Sequence, residues 1–462
     1  MVPERFRPLI DETRWLAERF DAAGHQLYLV GGIVRDALLD RLGEHLDIDL
    51  TTDARPPEVK ALVRDAADAV WEQGERFGTI GVVRAGRVFE ITTHRAEAYH
   101  PDSRKPVVQF ADAVETDLSR RDFTVNAMAL RLPELELIDP FSGTTDLLAG
   151  RLRTPLSPAE SFSDDPLRMM RAARFIAGFG LVPDDGVEAA VVELRDRLSI
   201  VSAERLRVEL DKLVTVEHPT EGLRFLVRTG LADRFLPELS GLALEQDPLH
   251  RHKDVLEHTF AVVEKVERSH RIVRLAALFH DVGKPRTRAF GPGGVSFHHH
   301  EVVGARMTRE RMRALRYSND DVEAVTRLVE LHLRFHGYHE GDGGWTDSAV
   351  RRYVRDAGPL LDELNELTRC DCTTRNQARA RALARRMDEL EARIARLEEA
   401  EELAALRPDV DGKRVMEHLG IGPGPAVGKA LAFLLEARIE EGPLGEEEAL
   451  RRLDAWWAVH KT

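Results

Sequence analysis

Asp47-Ile48-Asp49 is a short stretch of this chain that could do chemistry by itself. On a strand, residues i and i+2 project from one face, so two carboxylates point into one small volume. Hard Mg²⁺ takes oxygen ligands and is commonly held by one or two carboxylates plus substrate phosphates. Two such ions clamp the attacking and leaving oxygens of an in-line phosphoryl displacement. A lone pair of this kind is more often a solvated strand edge. Here it follows Leu29-Val30-Gly31-Gly32-Ile33-Val34-Arg35-Asp36, which reads as strand, two glycines and helix start. Gly31 and Gly32 allow the backbone close to a phosphate, and Arg35 on the first turn could reach a triphosphate. Glu90, on an apolar run Val88–Thr92, is either a third carboxylate or a surface strand residue.

Elements able to position these groups follow from periodicity. A helical pattern covers 6–20, an apolar run Gln26–Val30 is followed by a helix Ile33–Leu42, and Leu46–Leu50 alternates as a strand. Pro56-Pro57 opens a helix to about Val70, and Thr79–Val83 with Val88–Thr92 forms a hairpin across Ala85-Gly86-Arg87. The order predicts a small mixed sheet with helices on one side. From Asp164 to about 240 the pattern is helical. A second, His-rich helical block spans about Arg251 to Asp371, broken at Phe290–Val295, and Thr374–Leu406 reads as one long helix. The fold class is therefore α+β, a small catalytic head followed by an all-helical remainder.

In this order and spacing the motifs resemble the head of the polymerase-beta-like tRNA nucleotidyltransferase and poly(A) polymerase family, bacterial class II. The resemblance continues through Arg120-Arg121-Asp122-Phe123-Thr124-Val125-Asn126-Ala127, Asp139-Pro140-Phe141 with Gly143 and Asp146-Leu147, Asp164-Asp165-Pro166-Leu167-Arg168, and Met169–Phe175. Arg205, Glu209 and Lys212 fit a further helix of that family, so the likeness covers about residues 25–215. It implies that Asp47 and Asp49 hold two Mg²⁺ ions and that Gly31, Gly32, Arg35, Arg120, Arg121, Asp122, Asn126, Asp165, Arg168, Arg171 and Arg174 bind the nucleotide. Asp122 would bond the ribose, and Arg120 and Arg121 would grip phosphates with their planar forks. Asp165 and Arg168, at i and i+3 on a helix, would read the base edge and select CTP and ATP.

The second block resembles an HD domain through His258, His280-Asp281 and Asp371, with His300 and His332 as further candidate ligands. Imidazole with carboxylate suits Mn²⁺, Ni²⁺, Fe²⁺ or Mg²⁺, and residue types do not separate these. The implied domains are a nucleotidyltransferase head 1–150, a helical nucleotide- and RNA-binding neck 151–240, an HD phosphohydrolase-like domain 241–373, and a helical RNA-binding tail 374–462. In the tail, Gly422-Pro423-Gly424-Pro425 either touches RNA phosphates or is a tight turn between helices.

The implied activity is CCA addition to the 3′ end of tRNA from CTP and ATP, with pyrophosphate leaving. Poly(A) polymerase and C-only or A-only addition remain open, as does a chain acting mainly as an HD phosphohydrolase or 2′,3′-cyclic phosphodiesterase. Composition agrees. The 462 residues exceed one domain at roughly 100–200 residues each. The net charge of −14 argues against a generic nucleic-acid coat, although arginines cluster locally, including between Arg375 and Arg386. Cys370 and Cys372 are too few for a disulfide framework and read as ordinary helix residues in a reducing compartment. No apolar run approaches the roughly 18 residues of a membrane span, so a cytoplasmic protein with no membrane partner is expected. Monomer and dimer stay open.

Overall fold

The computed structural model describes residues 4–460 except 44–45, 101–102, 245–253, 292–293, 338–344, 374–375 and 402–406. Arg375 and the start of the predicted second helical block at Arg251 fall outside them. The chain forms two compact units, Met1–Ser240 and Gly241–Thr462.

The first unit is built on strands β1 (Leu27–Val30), β2 (Ile48–Thr52), β3 (Ala69–Trp71), β4 (Thr79–Arg84), β5 (Arg87–Thr93), β6 (Arg95–His100), β7 (Ser103–Phe110), β8 (Ala129–Leu132) and β9 (Leu137–Ile138). Seven of them make one sheet in the order β3-β4-β5-β2-β1-β8-β9, and β6 with β7 forms a separate ribbon. The sheet is mixed: β2 runs parallel to β5, while β1 is antiparallel to β2 and β8. The β4–β5 hairpin turns at Ala85 and Gly86, both at positive φ (50° and 75°), as a two-residue hairpin loop prefers.

Alternation decides what each face carries. Leu27, Leu29, Ile48, Leu50, Phe89 and Ile91 enter the main core with the helices Arg7–Ala22, Gly32–Leu38 and Pro56–Val63. The intervening residues Tyr28 and Val30 pack on the other face with Val114 and Leu118 of the helix Val114–Ser119. Helices therefore cover both faces at β1, which is why all four of its residues are buried, in place of the one-sided layer expected. Strand β3 falls just beyond the helix Pro56–Val63, so the helix predicted to reach about Val70 stops about two turns earlier.

Beyond the sheet, the first unit continues as helices, chiefly Leu167–Phe179, Ala203–Val214 and Thr220–Arg228. Among the described residues, the second unit is helical except for a short ribbon, Ala289–Gly291 with Gly294–Ser296. Its long helix is Gln377–Glu401, and Gly422–Gly424 lies in the connection between the helices Gly412–Leu419 and Pro425–Glu441. Both cysteines are free. Among the described residues, no helix is long and apolar enough to cross a membrane.

Candidate active site

Because Ile48 and Leu50 face the main core, Asp47 and Asp49 project from the opposite side of β2, where both are exposed. Parallel pairing sets Asp49 beside Glu90 of β5. Asp49 and Glu90 line a cavity of about 370 Å³ together with Thr79, Thr92, Arg95, Arg120, Arg121, Asp122, Asp165, Arg168, Arg171 and Arg205. The surrounding protein, with Glu90 and Asp47, pushes the Asp49 carboxyl up to about 6 against the pull of Arg121. Three carboxylates crowded together with oxygen donors only are a fit for Mg²⁺.

The arginines opposite are held by a residue that no motif announced. Asp117, fully buried on the helix Val114–Ser119, accepts from Arg120 Nη2 (3.0 Å), Arg121 Nη2 (3.1 Å) and the backbone N–H of Arg95 (3.3 Å). Burial alone would raise its pKa, but Arg120 and Arg121 hold it far below the usual carboxylate range. Gly31 completes this corner. It sits at φ 76°, and a Cβ there would lie 2.8 Å from Arg121 Nη1, so the glycine lets the guanidinium rest on the backbone.

Asp122 lines the cavity but is already engaged. Its carboxylate accepts from Asn126 Nδ2 (3.0 Å) and from Arg171 Nε (2.7 Å). Burial works against its charge, yet Arg171 and Asn126 keep it ionised well below the usual range. Arg168 is nearly buried, donating to Ser161 Oγ (2.8 Å) and to the carbonyl of Arg120 (2.5 Å).

Two placements differ from the expectation. Pro166 breaks the chain into the helices Pro158–Asp164 and Leu167–Phe179, so Asp165 sits in the extended junction (φ −134°, ψ 99°) and only Arg168 is helical. Asp165 accepts the Leu167 N–H (3.2 Å) and pairs with Arg205 (3.0 Å). Arg35 and Arg174 are not among the residues lining the cavity. Arg35 is tied to Asp36 (2.9 Å) and Asn126 (2.5 Å) and lies on the Phe179 ring at 4.1 Å; Arg174 bonds Glu209 (2.8 Å). Arg95 and Arg205 enter the cavity in addition, and of these only Arg205 carried a sequence signal, through its helix motif.

In the second unit, His258, His280, Asp281 and Asp371 come together. His258 Nε2 is 2.9 Å from Asp371 Oδ1 and 3.3 Å from His280 Nε2, and His280 Nε2 is 3.2 Å from Asp281 Oδ2.

Acid should unlock the first unit through Asp117 and Asp122. Their folded pKa values are depressed, so the unfolded chain binds more protons as pH falls. The stability they supply is complete above an unfolded value of about 3.9 and is lost below it. The thermal midpoint of this unit is expected to show no loss from pH 7 to about 5 and to drop steeply below about 4. A midpoint indifferent to pH 3 would contradict this.

A mixed sheet that aims clustered carboxylates at an arginine-lined cavity defines a nucleotidyltransferase. The sequence matches the Poly A polymerase head domain over residues 27–153, a probable RNA and SrmB-binding site of polymerase A over 180–242, and the HD domain over 254–400. An A-adding tRNA nucleotidyltransferase of Deinococcus radiodurans is 36% identical over 359 residues, 75% of this chain and 80% of the relative. A CCA-adding enzyme of Streptococcus suis is 30% identical over 448 residues, 97% and 95% of the two chains. With a CCA-adding enzyme of Bacillus velezensis the identity is 41%, but the match spans only 54% of that relative and 47% of this chain. In fold, the chain is similar to the Bacillus stearothermophilus CCA-adding enzyme solved in complex with CTP, at a TM-score of 0.73 and 24% identity over 100% of this chain and 99% of that one. The chain belongs to the family of CCA-adding tRNA nucleotidyltransferases that carry an HD domain.

Proposed function

We propose that this chain adds CMP, CMP and AMP to the 3′ end of tRNA from CTP and ATP, without a nucleic-acid template. The observation that carries this reading is that Asp49 and Glu90 line the same cavity as Asp165, Arg168 and Arg205. A site for metal-bound triphosphate and a set of donors and acceptors able to read a base edge are thus within one nucleotide's reach. Asp47 and Asp49 would hold Mg²⁺, with Glu90 beside them. The ions would neutralise the triphosphate and lower the pKa of the RNA 3′-hydroxyl. Arg120 and Arg121, fixed by Asp117, supply the fork that orients phosphate oxygens, and catalysis is mostly positioning and charge.

Selection of C and A over U and G would rest on Asp165 and Arg168, with Arg205 setting the carboxylate's orientation. A well-placed bidentate contact to a base edge contributes about 1–3 kcal/mol of discrimination. Arg205→Ala is therefore expected to raise UTP use relative to CTP by roughly tenfold while addition continues. Competition between labelled CTP and UTP measures it, and an unchanged ratio would remove Arg205 from selection.

The test of the whole reading uses tRNA lacking its 3′ CCA, Mg²⁺, and CTP alone, ATP alone or both, followed by sequencing of the 3′ ends. C-C-A followed by a halt supports it. A second reading, addition of A alone to tRNA ending in C-C, is favoured by the A-adding relative, which is 36% identical over four-fifths of its own length. It predicts no product from CTP and a single A on the C-C-ended substrate. A long A tail from ATP alone would make the chain a poly(A) polymerase.

A further inference from the structure

The second unit carries a row of arginines that its carboxylates leave alone. In the helix His300–Ala314, Arg306, Arg309 and Arg313 are exposed and stand at i, i+3 and i+7, within an arc of about 60°. Among the described residues, none of the three makes a hydrogen bond or an ion pair. Exposed arginines elsewhere in this unit do find acids: Arg355 meets Glu436 at 2.8 Å, Arg414 meets Glu446 at 2.7 Å and Arg451 meets Glu448 at 2.6 Å. With 80 acidic residues against 66 basic ones in the chain, three neighbouring arginines without an acid run against the composition. Acids nearby do not close on them either. Glu310 of the same helix forms no ion pair among the described residues, and Arg309 borders a cavity with Asp320 and Glu323 of the helix Asn319–Leu331 but pairs with neither.

Like charges three and four residues apart on a helix repel, so the fold gains nothing from the row. What the fold supplies is a rigid mount. Ala305, Met307, Thr308 and Met312 are buried and fix the helix from its inner side. Arg379, Arg381 and Arg385 of the helix Gln377–Glu401 are likewise exposed and unpaired among the described residues, but Arg379 and Arg381 lie roughly 160° apart around that helix, so these three form no single row.

We infer that the row on the helix His300–Ala314 binds the phosphate backbone of RNA, which is tRNA on the reading proposed above. From Arg306 to Arg313 the helix runs about 10 Å, a length over which one nucleic-acid strand presents roughly three phosphates. A guanidinium's planar fork suits paired phosphate oxygens. The row holds no aromatic ring and no side-chain amide, so its contacts are to the backbone and carry no sequence preference. A chain of net charge −14 repels RNA as a whole, and an unneutralised basic row is what lets RNA lie against one face of it.

Anisotropy of a fluorescently labelled tRNA lacking its 3′ CCA, titrated with the full chain across KCl from about 0.05 to 0.3 M, tests this. Arg306→Gln, Arg309→Gln and Arg313→Gln together are expected to weaken binding roughly 10–100-fold at about 0.1 M salt, and to lower the slope of log Kd against log salt by about 2 to 3. Lysine at the same three positions keeps the charge and should retain most of the slope. Addition at saturating tRNA should not change in either variant, since none of the three side chains lines the cavity of the first unit. A glutamine variant with the unaltered Kd and slope would overturn the RNA site and leave the addition reading untouched. A loss of affinity with no change in slope would also overturn it, because phosphate contact requires both. If the unaltered chain adds no nucleotide and the glutamine variant still loses affinity and slope, the addition reading fails and the RNA site stands.

Discussion

Asp49→Asn is expected to lower the rate of nucleotide addition by about 10²–10³-fold or more, while the melting temperature stays the same or rises. The two halves of this expectation have one cause. Asp49 is shielded from water by the surrounding protein and crowded by Glu90 and Asp47, and its carboxyl is pushed up to about 6, so at pH 7 the folded chain carries a charge it would rather not have. An acid with a raised folded pKa costs the fold stability as pH climbs from the unfolded value to the folded one, the cost is complete above the latter, and a neutral amide of the same shape lifts that burden. The same charge is what would attract Mg²⁺ and the triphosphate. Single-turnover addition on a CCA-less tRNA, with a thermal melt of the same preparation, measures both. An active variant would remove Asp49 from the metal site, and a large fall in melting temperature would show that its role is structural. Glu90→Gln separates the two readings of its neighbour: a loss of the same order makes it a third ligand, and near-normal addition makes it a strand residue.

Short-range chemistry was legible in the sequence. Asp47 and Asp49 declare themselves because a strand's period of two leaves no choice of face, and Gly31 because a glycine between strand and helix permits a close approach to the backbone, which the structure fills with Arg121. His280-Asp281 is legible for the same reason of adjacency. What could not be read is which way a long side chain leaves its element. Arg35 and Arg174 have the right type and place in the motif, yet Phe175, Phe179, Asp36 and Glu209 hold them to the scaffold. Pro166 was visible, but its consequence, that Asp165 stands outside the helix and turns to Arg205, depends on a helix some forty residues away. The strands β3 and β6 to β9 escaped because they are short or carry no apolar alternation; the sheet beside them sets the pairing of β3, β8 and β9, while β6 and β7 pair with each other. His300 and His332 are named as further candidate ligands, but as single histidines on separate helices they carry no adjacency signal, and their common approach to Asp281 is set by the fold.

Asp117 is the residue whose loss should damage this molecule most broadly. It is fully buried, and it neutralises Arg120 and Arg121 while capping the backbone of Arg95. Removing one partner of a buried charge cluster costs about 3–5 kcal/mol, because the two arginines left behind lose their counter-charge while only about a fifth of each side chain reaches water. For a unit of this size, 1 kcal/mol moves the midpoint by about 2–4 °C, so Asp117→Ala should lower the first unit's transition by roughly 6–20 °C. The effect should also reach specificity. The Arg120 carbonyl accepts from Arg168, so a displaced Arg120 backbone loosens a proposed base-reading side chain as well as the phosphate grip. The variant should show a raised KM for CTP and ATP and more misincorporated UMP, where Asp49→Asn should fail in kcat with selection intact. Asp117→Asn, which keeps the shape and loses the charge, is expected to fall between. If Asp117→Ala melts like the unaltered chain and binds nucleotide normally, the two arginines are held by something other than this carboxylate, and the account of how the cavity is built must change.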